Sequence, residues 1–167
     1  MSLPDISIRV LTPETDLTAF KCAEGDLNEF LLDESKDYQT EYLAVTYLLV
    51  NSENGDIIAY YSLLNDVVRL NETEKSVRNR INRKIPFSKQ RNHYPAVKVG
   101  RLAVSESYAG NGIGRLILDS VKYVFTHGNR TGCRFVTVDA LTSATGFYER
   151  NNRRSEERRV GKECRSR

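Results

Sequence analysis

No run of about 18 apolar residues occurs in the 167-residue chain, and its opening, MSLPDISIRV, has no basic region followed by an apolar stretch. Neither a membrane span nor a secretory signal is expected, and the protein is read as cytoplasmic. Cysteine is scarce. Cys22, Cys133 and Cys164 are far apart, odd in number and without C-x-x-C spacing, which speaks against a disulfide framework and a zinc site and for buried or idle thiols. His93 and His127 are the only histidines, too few for a histidine-based metal centre or a triad, so no metal is expected.

A hydrophobic content of 40% is enough for one core of ordinary size, so one compact module is expected. It is placed at residues 1–153. The last stretch, RSEERRVGKECRSR from Arg154 to Arg167, is polar, has one aliphatic residue and shows no usable period. It is read as a non-native or disordered tail unable to bury a strand or helix face, and it resembles the translation of a DNA-sequencing adapter. Its basic residues (Arg154, Arg158, Arg159, Lys162, Arg165, Arg167) outnumber its acidic ones (Glu156, Glu157, Glu163) by the whole formal net charge of +3. Overall basicity therefore does not itself argue for nucleic-acid binding, although a basic arm that binds RNA is the competing reading of the tail.

Ile6 to Leu11 alternates as a strand. Asp26 and Glu29 form a D-x-x-E start signal for a helix over about Leu27 to Tyr38. Tyr42 to Val50 and Ile57 to Leu64 are β-branched and aromatic runs joined by Asn54-Gly55, the signature of an antiparallel hairpin. Asn71 to Arg91 is polar and basic, with a weak helical pattern through Val77 and Ile81. Ala96 to Val104 reads as a strand whose Gly100 suggests a bulge or close approach by a ligand. Ile113, Leu116, Ile117, Ser120, Val121, Val124 and Phe125 recur at helical spacing. A strand over Arg134 to Ala140 and a short helix over Ala144 to Arg150 follow.

Between the strand ending at Val104 and the Ile113 helix lies Ala109-Gly110-Asn111-Gly112-Ile113-Gly114-Arg115. Glycines at alternate positions let backbone pass close to a bulky anion, while the N–H groups and positive dipole end of the helix point at it. A diphosphate suits such a turn. A Walker A loop needs Gly-Lys-Ser/Thr, but Gly114 precedes Arg115-Leu116. A dinucleotide fingerprint needs a third glycine where Arg115 or Ile117 stands. A loop using glycine only for positive φ would look the same, so context has to decide.

That context resembles the acetyl-CoA-dependent N-acetyltransferases of the GNAT family, whose pyrophosphate turn is written Q/R-x-x-G-x-G/A. Gly112 and Gly114 match its last two glycines, and Ala109 departs from the usual Gln or Arg. Gly146-Phe147-Tyr148-Glu149-Arg150-Asn151 resembles the second signature of the family. The resemblance implies a mixed α/β fold with a central, mostly antiparallel twisted sheet flanked by helices, and acetyl-CoA lodged where the strand ending at Val104 parts from the strand ending at Ala140. It implies that the backbone of Leu102, Ala103 and Val104 pairs with the pantetheine arm and polarises the acetyl carbonyl. Ala109, Gly110, Asn111, Gly112, Ile113, Gly114 and Arg115 would hold the diphosphate. Thr142 stands where members often carry Asn near the cofactor, and Tyr148 matches the tyrosine that protonates the departing thiol. A phenol with pKa near 10 is protonated at neutral pH and fits that role, although Phe147 and Tyr148 as two core aromatics would read alike. Family members continue with further strands, so the domain is expected to be truncated, with an exposed sheet edge prone to association.

Phe20-Lys21-Cys22-Ala23-Glu24-Gly25-Asp26-Leu27-Asn28-Glu29-Phe30-Leu31 resembles the start of toxin-type bacterial GNATs, with Ala23 for the usual glycine. That group acetylates aminoacyl-tRNA and is restrained by an antitoxin. The implied partners are an amine substrate, aminoacyl-tRNA in particular, an antitoxin and a second copy in a homodimer, with no membrane. Arg78, Arg80, Arg83, Lys84, Lys89 and Arg91 are candidates to face RNA phosphates, or are a solvated loop. Acetylation of a small-molecule or protein amine, and a non-catalytic coenzyme A sensor, remain the alternatives.

Overall fold

The computed structural model describes residues 4–70, 75–152 and 161–166. The chain divides into two compact units, one made of the residues up to Leu64 with Val99–Tyr123, the other of Asn65–Lys98 with the residues from Val124 onward. Strand neighbours follow chain order, β1 (Ile6–Val10), β2 (Val45–Asn51), β3 (Ile57–Arg69) and β4 (His93–Val104) in the first unit, and β3, β4, β5 (Phe135–Ala140) and β6 (Gly161–Ser166) in the second.

In the first unit β1 (Ile6–Val10) runs antiparallel to β2 (Val45–Asn51), with Ile6 opposite Asn51 and Val10 opposite Tyr47. β2 runs antiparallel to β3 (Ile57–Arg69), and a register shift between Leu49 and Val50 marks a bulge. The Asn54-Gly55 turn forms as expected. Gly55 has φ +81°, and the Asn54 side chain bonds both the amide and the carboxylate of Asp56.

Helix formation begins at Gly25 and runs to Thr40, as α1 (Gly25–Glu29), a π-helical turn (Phe30–Glu34) and α2 (Ser35–Thr40). The expected start signal is corrected: Glu24 precedes the helix with no side-chain cap, and Asp26 lies inside the first turn, where its carboxylate complements the helix dipole. The entry is fixed instead by Asn28, whose amide accepts from the Cys22 N–H at 2.9 Å and donates to the Cys22 carbonyl at 2.8 Å. The helix ends through Tyr42 at φ +57°, so β2 starts at Val45, three residues later than its apolar run suggests. Leu11, Leu17, Phe20, Phe30, Leu31, Leu48, Val50, Tyr60 and Ala103 form this unit's core.

In the second unit α3 (Lys75–Asn82) precedes β4 (His93–Val104), and Ile81 and Ile85 pack on Val68, Leu70, Tyr94, Ala96 and Phe135. The residue pairs Leu70 N–H to Asn92 carbonyl (2.7 Å) and Arg134 N–H to Pro95 carbonyl (2.9 Å) bind the segment to its neighbours. β3 and β4 are both longer than the apolar runs that announced them. β5 (Phe135–Ala140) is buried over almost its whole length and pairs in parallel with β6 (Gly161–Ser166), Phe135 opposite Gly161 and Ala140 opposite Ser166. Gly161–Ser166, within the stretch read as a tail, is thus a strand by its backbone pairing. Ladder pairing needs only backbone N–H and C=O groups, so a segment without side-chain periodicity can still complete it. Residues 154–160 lie outside the described residues.

Candidate functional site

The turn that carries the cofactor expectation lies in the first unit. After β4 the Ser105 N–H bonds to the Ile58 carbonyl at 2.9 Å, and a 3-10 turn spans Glu106–Tyr108. Ala109 is exposed and extended. Gly110 and Gly112 then take φ +81° and +77°, and a Cβ at either would meet nothing within 4 Å. Glycine is required there by backbone conformation, and open space lies before the peptide groups. Asn111 donates to the Tyr108 carbonyl at 3.2 Å and closes the turn.

α4 (Ile113–Thr126) follows. Its Leu116 N–H bonds to the Gly112 carbonyl at 3.1 Å, so the N–H groups of Ile113, Gly114 and Arg115 have no partner within the helix. Ile113, Gly114, Ile117, Leu118 and Val121 are buried, while Leu116 and Val124 are exposed, so the apolar stripe is rotated from the expected one toward Leu118. Ile113 and Gly114 thus fix the helix end in the core while their amides sit at the first turn. The exposed Arg115 pairs with Asp119 at 3.5 Å, an i,i+4 contact worth a few tenths of a kcal/mol. This donor set, with glycines clearing the approach, fits a diphosphate.

On β4 itself Gly100 has a different reason from the expected ligand approach: an added Cβ would lie 2.7 Å from Cδ2 of Leu64. Leu102 and Val104 are half-buried and Ala103 is buried. Arg101, which sequence reasoning passed over, has its guanidinium 5.0 Å from the centre of the Phe30 ring and donates to the Gly100 carbonyl at 3.0 Å. Its buried Nε has no partner among the described residues. Phe30 opens the π-helical turn, so a local irregularity supplies the aromatic face beneath a half-buried cation.

In the second unit Thr142 is exposed at the start of a 3-10 turn (Thr142–Ala144), and Tyr148 is buried in α5 (Thr145–Asn152). The Phe147 and Tyr148 rings meet edge to face at 5.1 Å, which fixes the phenol's direction. A further group went unread in the sequence. The Lys98 ammonium lies 3.6 Å from Asp66 and 3.5 Å from Asp139, all three side chains less than one-fifth exposed, and Thr137 donates to Asp66 at 2.6 Å. The available signal was a charge flanked by apolar residues in each of three strands, Asp66 before Val67-Val68, Lys98 between Val97 and Val99, and Asp139 between Val138 and Ala140.

Arg78, Arg80, Arg83, Lys84, Lys89 and Arg91 are all exposed. A recess of about 380 Å³ lined by Val67, Arg69, Asn92 and His93 opens where this segment rejoins β4. Cys22 is buried and Cys133 partly so, with burial pushing both thiols up. Among the described residues no three His, Cys, Asp or Glu side chains are grouped to hold a metal ion, and no helix is long and apolar enough to cross a membrane.

Residues 46–152 match the family model described as an acetyltransferase (GNAT) domain. The chain is similar to a tyrosine-to-phenylalanine mutant of KacT, at 26% identity over 87% of this chain and 84% of that one, with a TM-score of 0.70. It is equally similar to AtaT complexed with acetyl-methionyl-tRNAfMet, at 26% identity, 87% and 85% coverage and a TM-score of 0.70. AtaTR bound with AcCoA matches at 26% identity, 88% and 83% coverage and a TM-score of 0.64. The strand, the glycine turn, the helix and the later tyrosine helix all fall inside the matched range, and the chain belongs to the GNAT family of acetyltransferases.

Proposed function

We propose that this acetyltransferase moves the acetyl group of acetyl-CoA onto the α-amine of an aminoacyl-tRNA. The observation that carries the cofactor half is the turn from Ala109 to Arg115, with positive φ at Gly110 and Gly112 and three helix-opening amides free of intrahelical partners. Acetyl-CoA supplies an activated thioester carbonyl. In this reading the amides of Ile113, Gly114 and Arg115 hold its diphosphate, and the backbone of Leu102 to Val104 aligns the pantetheine arm and draws charge onto the carbonyl oxygen. Ala109 removes a side-chain contact available to other members but leaves these backbone donors intact. Thr142 stands where members of the family often carry a residue near the cofactor.

The amine nitrogen, neutral in about a fifth of molecules near pH 7.4 for a pKa near 8, attacks the carbonyl carbon, the carbon–sulfur bond breaks, and the amine proton passes to water. Tyr148 gives its phenolic proton, or a hydrogen bond, to the departing sulfur. Its burial keeps water from competing for that contact.

Support for the acceptor comes from the similar AtaT, described in complex with acetyl-methionyl-tRNAfMet, and from the exposed cations of residues 78–91. An antitoxin partner is supported by the shared fold of a mutant AtaT toxin described as bound to the C-terminus of the antitoxin AtaR. The catalytic domain in this reading is residues 1–153, with 154–167 an appended segment.

Acetylation of aminoacyl-tRNA with labelled acetyl-CoA tests the proposal. Wild-type protein is expected to label the aminoacyl group, and Tyr148→Phe to lower kcat by about 10²- to 10⁴-fold with little change in KM for acetyl-CoA. Unchanged kcat in that variant removes the proton-donor role. Labelling of small amines or proteins but not aminoacyl-tRNA would replace the acceptor.

A further inference from the structure

We infer that Phe87 is a stacking platform for an unpaired base of the RNA acceptor, an assignment that rests on the aminoacyl-tRNA reading and gives it a contact. Residues 75–93 hold seven lysines and arginines and no aspartate or glutamate. In the middle of that segment Phe87 is 90% exposed, at the head of a short 3-10 turn (Phe87–Lys89) that Pro86 introduces.

The exposure is not looseness of the segment. Gln90 donates to the Ile85 carbonyl at 3.0 Å, the Tyr94 hydroxyl donates to the Asn82 side chain at 2.9 Å, and the Arg91 N–H bonds to that hydroxyl at 3.1 Å. Ile81 and Ile85 are packed inward while the larger Phe87 ring stands in water. The backbone on either side of Phe87 is thus held by hydrogen bonds.

A single exposed apolar residue on a neutral surface needs no explanation, and a protein partner calls for a contiguous apolar patch. Apart from Pro86, the exposed residues near Phe87 in the chain are Lys84, Ser88, Lys89 and Arg91, all polar or cationic. Cations that track phosphates around a rigid, solvent-facing aromatic ring are the combination by which proteins hold single-stranded nucleic acid, the ring taking a base face of any sequence. The 3′ end of a tRNA is single-stranded and carries the reacting amine, so it is the part of the acceptor such a ring would engage.

The test measures binding of a labelled, CCA-terminated single-stranded oligoribonucleotide by anisotropy over a series of salt concentrations. Phe87→Leu keeps an apolar side chain and removes the aromatic face; Phe87→Tyr keeps that face. We expect Phe87→Leu to weaken binding by about 5- to 150-fold and Phe87→Tyr to stay within about twofold, with the salt slope unchanged in both because no charge is removed. Acetylation of a small aminoacyl ester should be unaffected, since the ring lies outside the acetyl-transfer machinery. Equal binding by wild type and Phe87→Leu, or a changed slope, overturns the stacking role alone. If wild-type protein neither binds the oligonucleotide nor acetylates aminoacyl-tRNA while still acetylating small amines, the acceptor reading fails and the stacking role with it.

Discussion

Replacing Lys98 with methionine should be among the most damaging single changes in the second unit. Its ammonium lies 3.6 Å from Asp66 and 3.5 Å from Asp139, on three neighbouring strands, with side chains only 14–17% exposed. At an effective dielectric constant near 20, each contact is worth about 5 kcal/mol of direct attraction, most of it offset by removing the charges from water. The intact cluster therefore adds little net stability. The variant, however, keeps two poorly hydrated carboxylates without the ammonium between them, and removing one partner of a buried ion pair costs up to about 3–5 kcal/mol. Thr137 still donates to Asp66, which places the expected value toward the lower end. For a chain of this size the Tm should fall by about 6–15 °C. Urea unfolding followed by circular dichroism gives the free energy directly. Lys98→Met with Asp139→Asn should recover part of the loss, because one stranded charge is gone. A loss under about 1 kcal/mol in the single variant, or a double variant weaker than the single, refutes this account.

Gly112→Ala places an L side chain at φ +77° without a clash, so it should lower stability by about 1–2 kcal/mol while weakening acetyl-CoA binding in calorimetry; undiminished affinity argues against a diphosphate at that turn. Gly100→Ala should destabilise by a similar amount through Leu64, 2.7 Å from the new Cβ, and a Leu64→Ala background should relieve it in thermal melts. Burial pushes the Tyr61 phenol up to about 12 and the Tyr60 phenol higher still, whereas an unfolded phenol ionises near 10. The neutral form favoured by folding is fully populated in both states below pH 10, so stability should fall as pH rises from about 10 toward 12, with Tyr61 contributing up to about 3 kcal/mol; a flat urea midpoint between pH 9 and 11.5 contradicts this.

What could be read from the sequence was what neighbouring residues decide among themselves. Asn54-Gly55 makes its turn, and Gly110 and Gly112 take positive φ, because few other residues enter that region cheaply. α4 was legible because its period is internal, although the choice between Leu116 and Leu118 belongs to whatever packs against the helix. The strands ran past their apolar runs for a related reason. Asn65 and Asp66 look like a strand end, yet Asp66 finds Lys98 and Thr137 on other strands and continues β3 to Arg69. The π-helical turn in Phe30–Glu34 has no signal in FLLDE, which any helix would accept, and β6 answers to the open edge of β5 rather than to its own side chains.

The same division separates the two halves of the proposed reaction. In the proposed reaction a diphosphate would be held by backbone amides, whose direction glycine and a helix start dictate locally, so the conformation of this turn was legible residue by residue. An RNA acceptor is met by side chains whose meaning depends on exposure, and exposure is a property of the fold. Ile85 and Phe87 are two apolar residues with one proline between them, indistinguishable in a hydropathy profile. Only the folded segment turns Ile85 toward the core and leaves Phe87 in water beside exposed cations. Acceptor choice among acetyltransferases sharing this turn should accordingly vary with which side chains their basic segments leave exposed, while the glycine turn stays constant. Grafting residues 83–91 into a small-amine acetyltransferase of this family should confer RNA binding without changing its affinity for acetyl-CoA.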